Sequence, residues 1–223
     1  MRTYTTFYSW ILSVFLLITI SSLSTSAMAA PPVNHILPVV FDKQDHALSC
    51  EVAGLKMLLA YKGVKVSESE LIEKIGFDSP PHKNGVWGNP WKAFVGNIDG
   101  KMLATGYGVY WRPVARVANE YRKSQGFDFG KISDIVYALD HNNPVMIWGY
   151  VGSGQEIHWK TSYGHDIKAV SYEHVFVVVG YNGPAENPRG FHVIDTIHGP
   201  QYWSRDLFLA KWNSLDRSGV VVY

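Results

Sequence analysis

The stretch 49-SCEVAGLKMLLAY-61 predicts a helix that lies in the middle of a domain. Val52, Leu55 and Leu59 recur at intervals of three and four residues, which is the spacing of one face of a helix. Small and apolar residues between them make much of the remaining surface apolar as well. A helix that is apolar on nearly every side is normally buried, so we expect the rest of the fold to pack around this segment.

The segments that follow divide into helices first and strands afterwards. A second helix is predicted to start at the capping box formed by Ser67 and Glu70. Further helices are predicted over residues 113–121, 132–139 and 204–212, and strands over residues 145–151, 158–161, 174–181, 190–196 and 220–223. The aromatic, glycine-rich stretch 77–111 is predicted to be an ordered loop region. Some of its aromatic residues are expected to line a substrate cleft, with packing on the core as the alternative: Trp87, Trp91, Phe94, Tyr107, Tyr110 and Trp111. This order of elements indicates an α+β fold with an antiparallel sheet.

The composition excludes two broad classes of protein. The 223 residues carry 20 Lys and Arg against 19 Asp and Glu, a formal charge of +1, and 47% of them are hydrophobic. Disordered chains and nucleic-acid binders both need a large charge imbalance, so the chain is globular and no nucleic-acid partner is predicted. No segment marks an oligomer interface, which favours a monomer.

Residues 1–29 predict a secretory signal peptide. Arg2 precedes an apolar run at 10–20, and Ala27-Met28-Ala29 supplies the A-x-A pattern of a cleavage site. The apolar run has 11 residues, fewer than the roughly 20 that cross a bilayer, so a retained membrane anchor is the weaker alternative. We therefore expect a secreted or extracytoplasmic protein with one domain at 30–223 and no stable membrane insertion after cleavage.

Cys50 is the only cysteine, so the chain forms no internal disulfide. It falls in the first turn of the predicted helix, where free amide groups and the positive end of the helix dipole stabilise a thiolate. An inert buried cysteine is the other interpretation. A reactive thiolate needs a histidine as its base and a further group that orients the imidazole ring.

His174 and Asp195 are the pair predicted to meet that need. His174 opens the most apolar strand and Asp195 closes the next, so a hairpin brings both to one edge of the sheet. A half-exposed histidine beside an unrelated turn aspartate remains the alternative. Gln44, six residues before Cys50, is a candidate donor to an oxyanion together with the Cys50 backbone N–H. His46 is a rival base that would have to fold back over the nucleophile.

The other histidines are scattered along the chain. The sequence contains neither an H-E-x-x-H motif nor a pair of cysteines, so no metal is predicted, and no other cofactor either.

These residues together resemble a known family. The run 44-QDHALSCE-51 looks like the nucleophile segment of the C39-like cysteine peptidases, a branch of the papain-like fold. Further blocks of that family are resembled, in order, by 88-GNP-90, 94-FVG-96, 106-GYGVY-110, 173-EH-174 with 180-GY-181, and Asp195 followed by Gly199 and Trp203. Papain itself has an aromatic residue after its cysteine and Asn in place of the Asp, so only the C39-like branch fits.

The resemblance implies a papain-like fold, with an N-terminal helical part packed on a C-terminal antiparallel sheet. It implies that Cys50 is the nucleophile and His174 the general base and then acid. Asp195 would orient His174, and Gln44 would donate to the oxyanion. The implied activity is a cysteine peptidase or amide hydrolase with a peptide or peptidoglycan-related substrate. An acyl transferase, or a catalytically silent domain that binds peptide or cell-wall polymer, remains open as an alternative.

Overall fold

The computed structural model describes residues 34–223, and the signal peptide predicted for residues 1–29 lies outside them. The helices are α1 (Cys50–Tyr61), α2 (Glu68–Ile75), α3 (Trp111–Ala118), α4 (Ile132–Asp140) and α5 (Arg205–Trp212), the last continued by a 3-10 turn at Asn213–Leu215. The strands are β1 (Asn34–Ile36), β2 (Phe77–Asp78), β3 (Phe94–Val95), β4 (Ser124–Phe127), β5 (Val145–Tyr150), β6 (Glu156–Lys160), β7 (Asp166–Val170), β8 (Glu173–Asn182), β9 (Gly190–Asp195), β10 (Gly199–Ser204) and β11 (Gly219–Val222). Within residues 34–223, no helix combines the length and apolarity needed to cross a membrane.

The main sheet has seven strands in the order β10-β9-β8-β5-β11-β4, with β1 paired to the far end of β8. Every pairing in it is antiparallel. Strand β8 lies at the centre and is buried over nearly its whole length, because its run of valines suits a strand covered on both faces. The predicted α+β fold with an antiparallel sheet is therefore confirmed.

Helix α1 packs directly on the central strands, as its apolar surface predicts. Gly54 makes this close packing possible: a Cβ at that position would lie 2.6 Å from Met146 Sδ on β5 and 2.9 Å from Val175 Cγ1 on β8. Since the two elements approach so closely, the first residue of α1 lies beside the first residues of β8. The sheet and the helix thus bring Cys50 and His174 to the same end of the domain.

The sequence missed the strands β2, β3, β4, β7 and β10, the first two of which are two-residue strands in the stretch 77–111 predicted as a loop region. Strands β4 and β10 are the two edges of the main sheet, and their partly exposed residues lack the apolar alternation of a half-buried strand. Strand β7 pairs with β6 in a separate two-stranded sheet. Helix α3 begins at Trp111, two residues before the proline that was expected to start it.

Candidate active site

Cys50 is the first residue of α1 and is 5% exposed. Its thiol donates a hydrogen bond to Glu51 Oε2 at 3.3 Å. Among the hydrogen bonds of the described residues, none joins the Cys50 thiol to His174. The thiol therefore points toward a carboxyl group and not toward the imidazole.

His174 and Asp195 form a buried pair, as the hairpin argument predicted. Nε2 of His174 lies 3.0 Å from Asp195 Oδ1, and the two residues are 4% and 2% exposed. Asp195 also accepts hydrogen bonds from the backbone N–H groups of Ile197 and His198, at 2.8 and 3.2 Å, and its Oδ2 lies 3.1 Å from His198 Nδ1. The carboxylate is thus fixed from several sides before it contacts the ring.

The electrostatics of Asp195 favour its charged form. Burial alone would raise the pKa of this carboxyl, but the hydrogen bond and charge of His174 and the N–H group of Ile197 hold it well below the ordinary value. An ionised Asp195 can orient the imidazole of His174 and stabilise an imidazolium.

Gln44 reaches the same region through Thr196, the residue that follows strand β9. Its Oε1 accepts a hydrogen bond from Thr196 Oγ1 at 2.8 Å, and Thr196 Oγ1 lies 3.3 Å from His174 Nε2. The amide Nε2 of Gln44 donates to the backbone carbonyls of His46 and Ala47, at 2.8 and 3.1 Å. An oxyanion would therefore have to replace one of these carbonyl partners.

A cavity of about 120 Å³ connects the predicted site residues. Its lining residues are Gln44, Ala47, Leu48, Cys50, Met102, Tyr107, Val151, Tyr172, Glu173, His174 and Ile197. Asp195 lies behind His174 and does not line the cavity. The four residues selected from the sequence are thus brought together, three of them facing one cavity and the fourth bonded to His174.

The pKa of Cys50 contradicts the low value expected at a helix N-terminus. Burial raises the pKa of the thiol well above its ordinary value, and the neighbouring carboxyls of Glu51 and Glu173 raise it further. The helix dipole is a modest effect that falls off within one turn, whereas removing a thiolate from water and placing it beside two carboxyls opposes ionisation strongly. The expectation of a stabilised thiolate is therefore wrong for this arrangement of the site.

Glu51 and Glu173 are the site residues that sequence reasoning missed. Both are buried, and an oxygen of each lies within 4.8 Å of the other and of Cys50 Sγ. A sulfur and two oxygens this close are groups that can bind metals, but the Cys50 thiol keeps its proton and donates it to Glu51, so the group is not arranged as a set of metal ligands here. The prediction of no metal, made from histidine and cysteine motifs, stays a prediction. The available signal was that each is a charged residue among apolar neighbours, Glu51 in a helix and Glu173 in a strand that were both predicted to be buried.

The remaining candidates lie elsewhere. His46 pairs with Asp99 at 2.9 Å and does not line the cavity, so the arrangement does not favour it as the base. Of the aromatic residues expected to form a cleft wall, Tyr107 lines this cavity and Trp87 lines a separate one of about 460 Å³. The others are largely packed against one another in the core.

The central helix with its cysteine, packed on an antiparallel sheet that carries the histidine and aspartate, is the papain-like arrangement. The model of the Peptidase C39 like family matches residues 36–220, and the chain belongs to this family. The resemblance seen in the sequence is thereby confirmed.

Two relatives extend the comparison. The chain is 28% identical over 202 residues to the uncharacterized protein YvpB of Bacillus subtilis, a match that covers 87% of this chain and 76% of YvpB. A crystal structure from Bacillus anthracis, of a protein provisionally named a C39-like peptidase, superposes with a TM-score of 0.74. That protein is 26% identical, and the match covers 86% of this chain and 98% of its own.

Proposed function

We propose that the protein is an exported cysteine peptidase or amide hydrolase that acts through an acyl-thioester at Cys50. The observation that carries the proposal is that Cys50 and His174 line one cavity while Asp195 holds the far nitrogen of the His174 ring. Since Nε2 is occupied by Asp195, Nδ1 is the nitrogen available to the thiol. Family membership supports the same chemistry.

The reaction follows from these positions. Cys50 loses its proton to His174 and its sulfur attacks the carbonyl carbon, which forms an S–C bond and a tetrahedral oxyanion. The backbone N–H of Cys50, at the start of α1, and the amide of Gln44 donate to that oxyanion. His174 then gives its proton to the leaving amine as the C–N bond breaks. Water, deprotonated by His174, releases the acyl group and restores the thiol.

The lining of the cavity supports a particular class of substrate. Apart from Gln44, Glu173, two tyrosines and the residues of the reactive centre, the cavity is walled by apolar side chains such as Leu48, Met102 and Val151. A pocket of this composition favours an apolar substrate residue next to the scissile bond. We therefore propose a peptide, or a peptide attached to cell-wall polymer, with an apolar residue at that position.

A catalytically silent binding domain is the second candidate, and one observation favours it. The Cys50 thiol is buried and donates a hydrogen bond to Glu51, and burial raises its pKa. These are the properties of an inert thiol. The same cavity would then bind peptide without cleaving it.

Peptide cleavage by the purified protein distinguishes the two candidates. Incubation with a peptide library and with peptidoglycan fragments, followed by mass spectrometry, should yield cleaved products. Cys50→Ser and His174→Ala should each abolish them, whereas Ser214→Ala, on the 3-10 turn, should not. Full turnover by Cys50→Ser would exclude the thioester. Binding without cleavage would support the silent domain.

Export is a separate part of the proposal. N-terminal sequencing of the protein recovered outside the cytoplasm should give a chain that begins just after Ala29. Recovery of the uncut chain with the membrane fraction would instead indicate a retained anchor.

A further inference from the structure

The residues next to the nucleophile and the base form a buried carboxyl pair. Glu51 follows Cys50 in the chain and Glu173 precedes His174, and they are 0% and 2% exposed. Both carboxyls approach the same backbone atom: a Cβ on Gly108 would lie 2.4 Å from Glu51 Oε1 and 2.6 Å from Glu173 Oε2. A position without a side chain thus makes room for two acidic groups beneath the Cys50 thiol.

The two carboxyls have very different surroundings. Glu51 Oε1 accepts the backbone N–H of Val109 at 2.6 Å, and Glu51 Oε2 accepts the Cys50 thiol proton at 3.3 Å. Neither oxygen of Glu173 has a hydrogen-bond partner in the part of the chain that the structure describes. A buried carboxylate that accepts hydrogen bonds can carry a charge, whereas one without partners is far more stable as the neutral acid.

Among residues 34–223, no cation is paired with either carboxyl. The ion pairs of residues 34–223 do not include Glu51 or Glu173. The other titratable groups around the pair are Cys50 on α1, His174 on β8, and the hydroxyls of Tyr107 and Tyr110. Burial raises the pKa of both tyrosines, so these hydroxyls stay neutral. His174 is paired with Asp195, so the charge on the Glu51 side of the thiol depends on the two glutamates.

We propose that Glu51 and Glu173 are positioning residues with divided roles: Glu173 remains a neutral acid, while Glu51 is the carboxylate that accepts the Cys50 S–H and keeps the resting thiol protonated. The proposal rests on the assignment of Cys50 as the nucleophile. In this arrangement the thiol must turn from Glu51 to His174 before it can attack. A thiol held protonated is also slow to react with oxidants, since the thiolate is the reactive form. This protects a lone cysteine outside the cytoplasm.

The pKa values agree with these roles. Burial raises the pKa of Glu51 to about 7, while the hydrogen bond from Val109 limits the rise. Burial and the charge of Glu51 raise the pKa of Glu173 well above its ordinary value. Glu51 is thus the first of the pair to ionise.

Alkylation by iodoacetamide tests the role of Glu51, and Cys50 is the only site that can react as a thiol. The sulfur displaces iodide from this neutral reagent, so the rate follows the thiolate fraction. Glu51→Gln keeps the acceptor for Val109 but removes the charge, and should move the labelling midpoint about one pH unit or more lower. At pH 9, where Glu51 is charged in the native protein, the labelling of the variant should be roughly tenfold faster than that of the native protein. Glu173→Gln should leave the midpoint near the native one.

Infrared spectroscopy tests the role of Glu173 independently of labelling. At pH 9, where Glu51 is ionised, the C=O band of a buried protonated carboxyl should be lost in Glu173→Gln and retained in Glu51→Gln.

Glu68→Gln is the matched control for the labelling experiment, because Glu68 is equally buried but bonds to Ser49 Oγ at 2.7 Å and not to the thiol. It should leave the labelling midpoint of Cys50 unchanged.

Two results would overturn the proposal. One is a labelling midpoint in Glu51→Gln equal to or higher than the native one, and the other is a carboxyl band that survives in Glu173→Gln. The thiolate absorbance of the folded variant gives the midpoint of Cys50 ionisation without a reagent. Labelling that is faster only because the variant partly unfolds would disagree with this midpoint. None of these measurements requires peptide cleavage, so a failure of the proposed activity is distinguishable from a failure of the carboxyl pair.

Discussion

Asp195 Oδ1 lies 3.0 Å from His174 Nε2, although the strand pairing places Asp195 opposite Phe176 and not opposite His174. The two residues are therefore diagonal neighbours on β8 and β9, and their side chains can bridge the distance between diagonal positions. An irregularity between Val178 and Gly180 shifts the register of these strands. The contact survives this shift because both side chains are at the same end of the hairpin.

Asp195→Asn should reduce peptide cleavage because the orienting charge is lost while the size of the side chain is kept. General acid and base catalysis contributes about 10²–10⁴-fold, so we expect kcat/KM to fall within that range. The rate is measured on whichever peptide the native protein cleaves. Asp166→Asn, which changes an exposed carboxylate paired with Lys160, serves as the control. An unchanged kcat/KM in Asp195→Asn would remove Asp195 from the mechanism.

The sequence predicted the meeting of His174 and Asp195 because strand patterns and turn residues define a hairpin. It did not predict the register, since an irregularity such as that near Gly180 leaves no signal in apolar alternation. The buried helix α1 was equally predictable from its apolar residues. The protonation of Cys50 was not, because it depends on Glu173, a residue far away in the chain whose contact with Glu51 exists only after folding.

Gln44→Ala should lower kcat more than it changes KM. An oxyanion donor acts on charge that develops only in the transition state, and removing one costs about 10²–10³-fold in kcat. Thr196→Val removes the hydrogen bond that holds Gln44 Oε1 and should give a smaller loss of the same kind. Steady-state kinetics on one cleaved peptide measures both. A rise in KM with unchanged kcat in Gln44→Ala would indicate ground-state binding instead.

The stability of the protein should fall as pH rises from about 4.5 to 7. The pKa of Glu51 is raised in the folded state from an ordinary 4.5 to about 7, so the folded protein holds this proton more tightly than the unfolded chain. The resulting stabilisation is complete below pH 4.5 and is lost as pH rises through 7. Its size is roughly 3 kcal/mol for a shift of this extent. Urea unfolding at intervals across this range measures it.

Glu51→Gln supplies the control for this pH dependence, because the amide does not titrate. The difference in unfolding free energy between the native protein and Glu51→Gln should change in favour of the variant as pH rises. The pKa of Asp195 is lowered in the folded state, so its contribution to stability is lost only as pH falls below 3.8, the ordinary pKa of an aspartate. Asp195 therefore does not affect the change in stability between pH 4.5 and 7. A difference that stays constant from pH 4.5 to 7 would contradict the shifted pKa of Glu51.

Gly108→Ala should destabilise the fold at the carboxyl pair. The added Cβ would lie 2.4 Å from Glu51 Oε1 and 2.6 Å from Glu173 Oε2, so the carboxyl ends would have to move. Both are buried, and Glu51 would have to give up its hydrogen bond from the Val109 N–H. Overpacking of this kind costs about 1–3 kcal/mol in unfolding free energy. In the background of Glu173→Ala one of the two clashes is gone, so the cost of Gly108→Ala should be smaller there, and urea unfolding of the four proteins gives the coupling energy. Equal costs in both backgrounds would mean that Gly108 does not accommodate the Glu173 carboxyl.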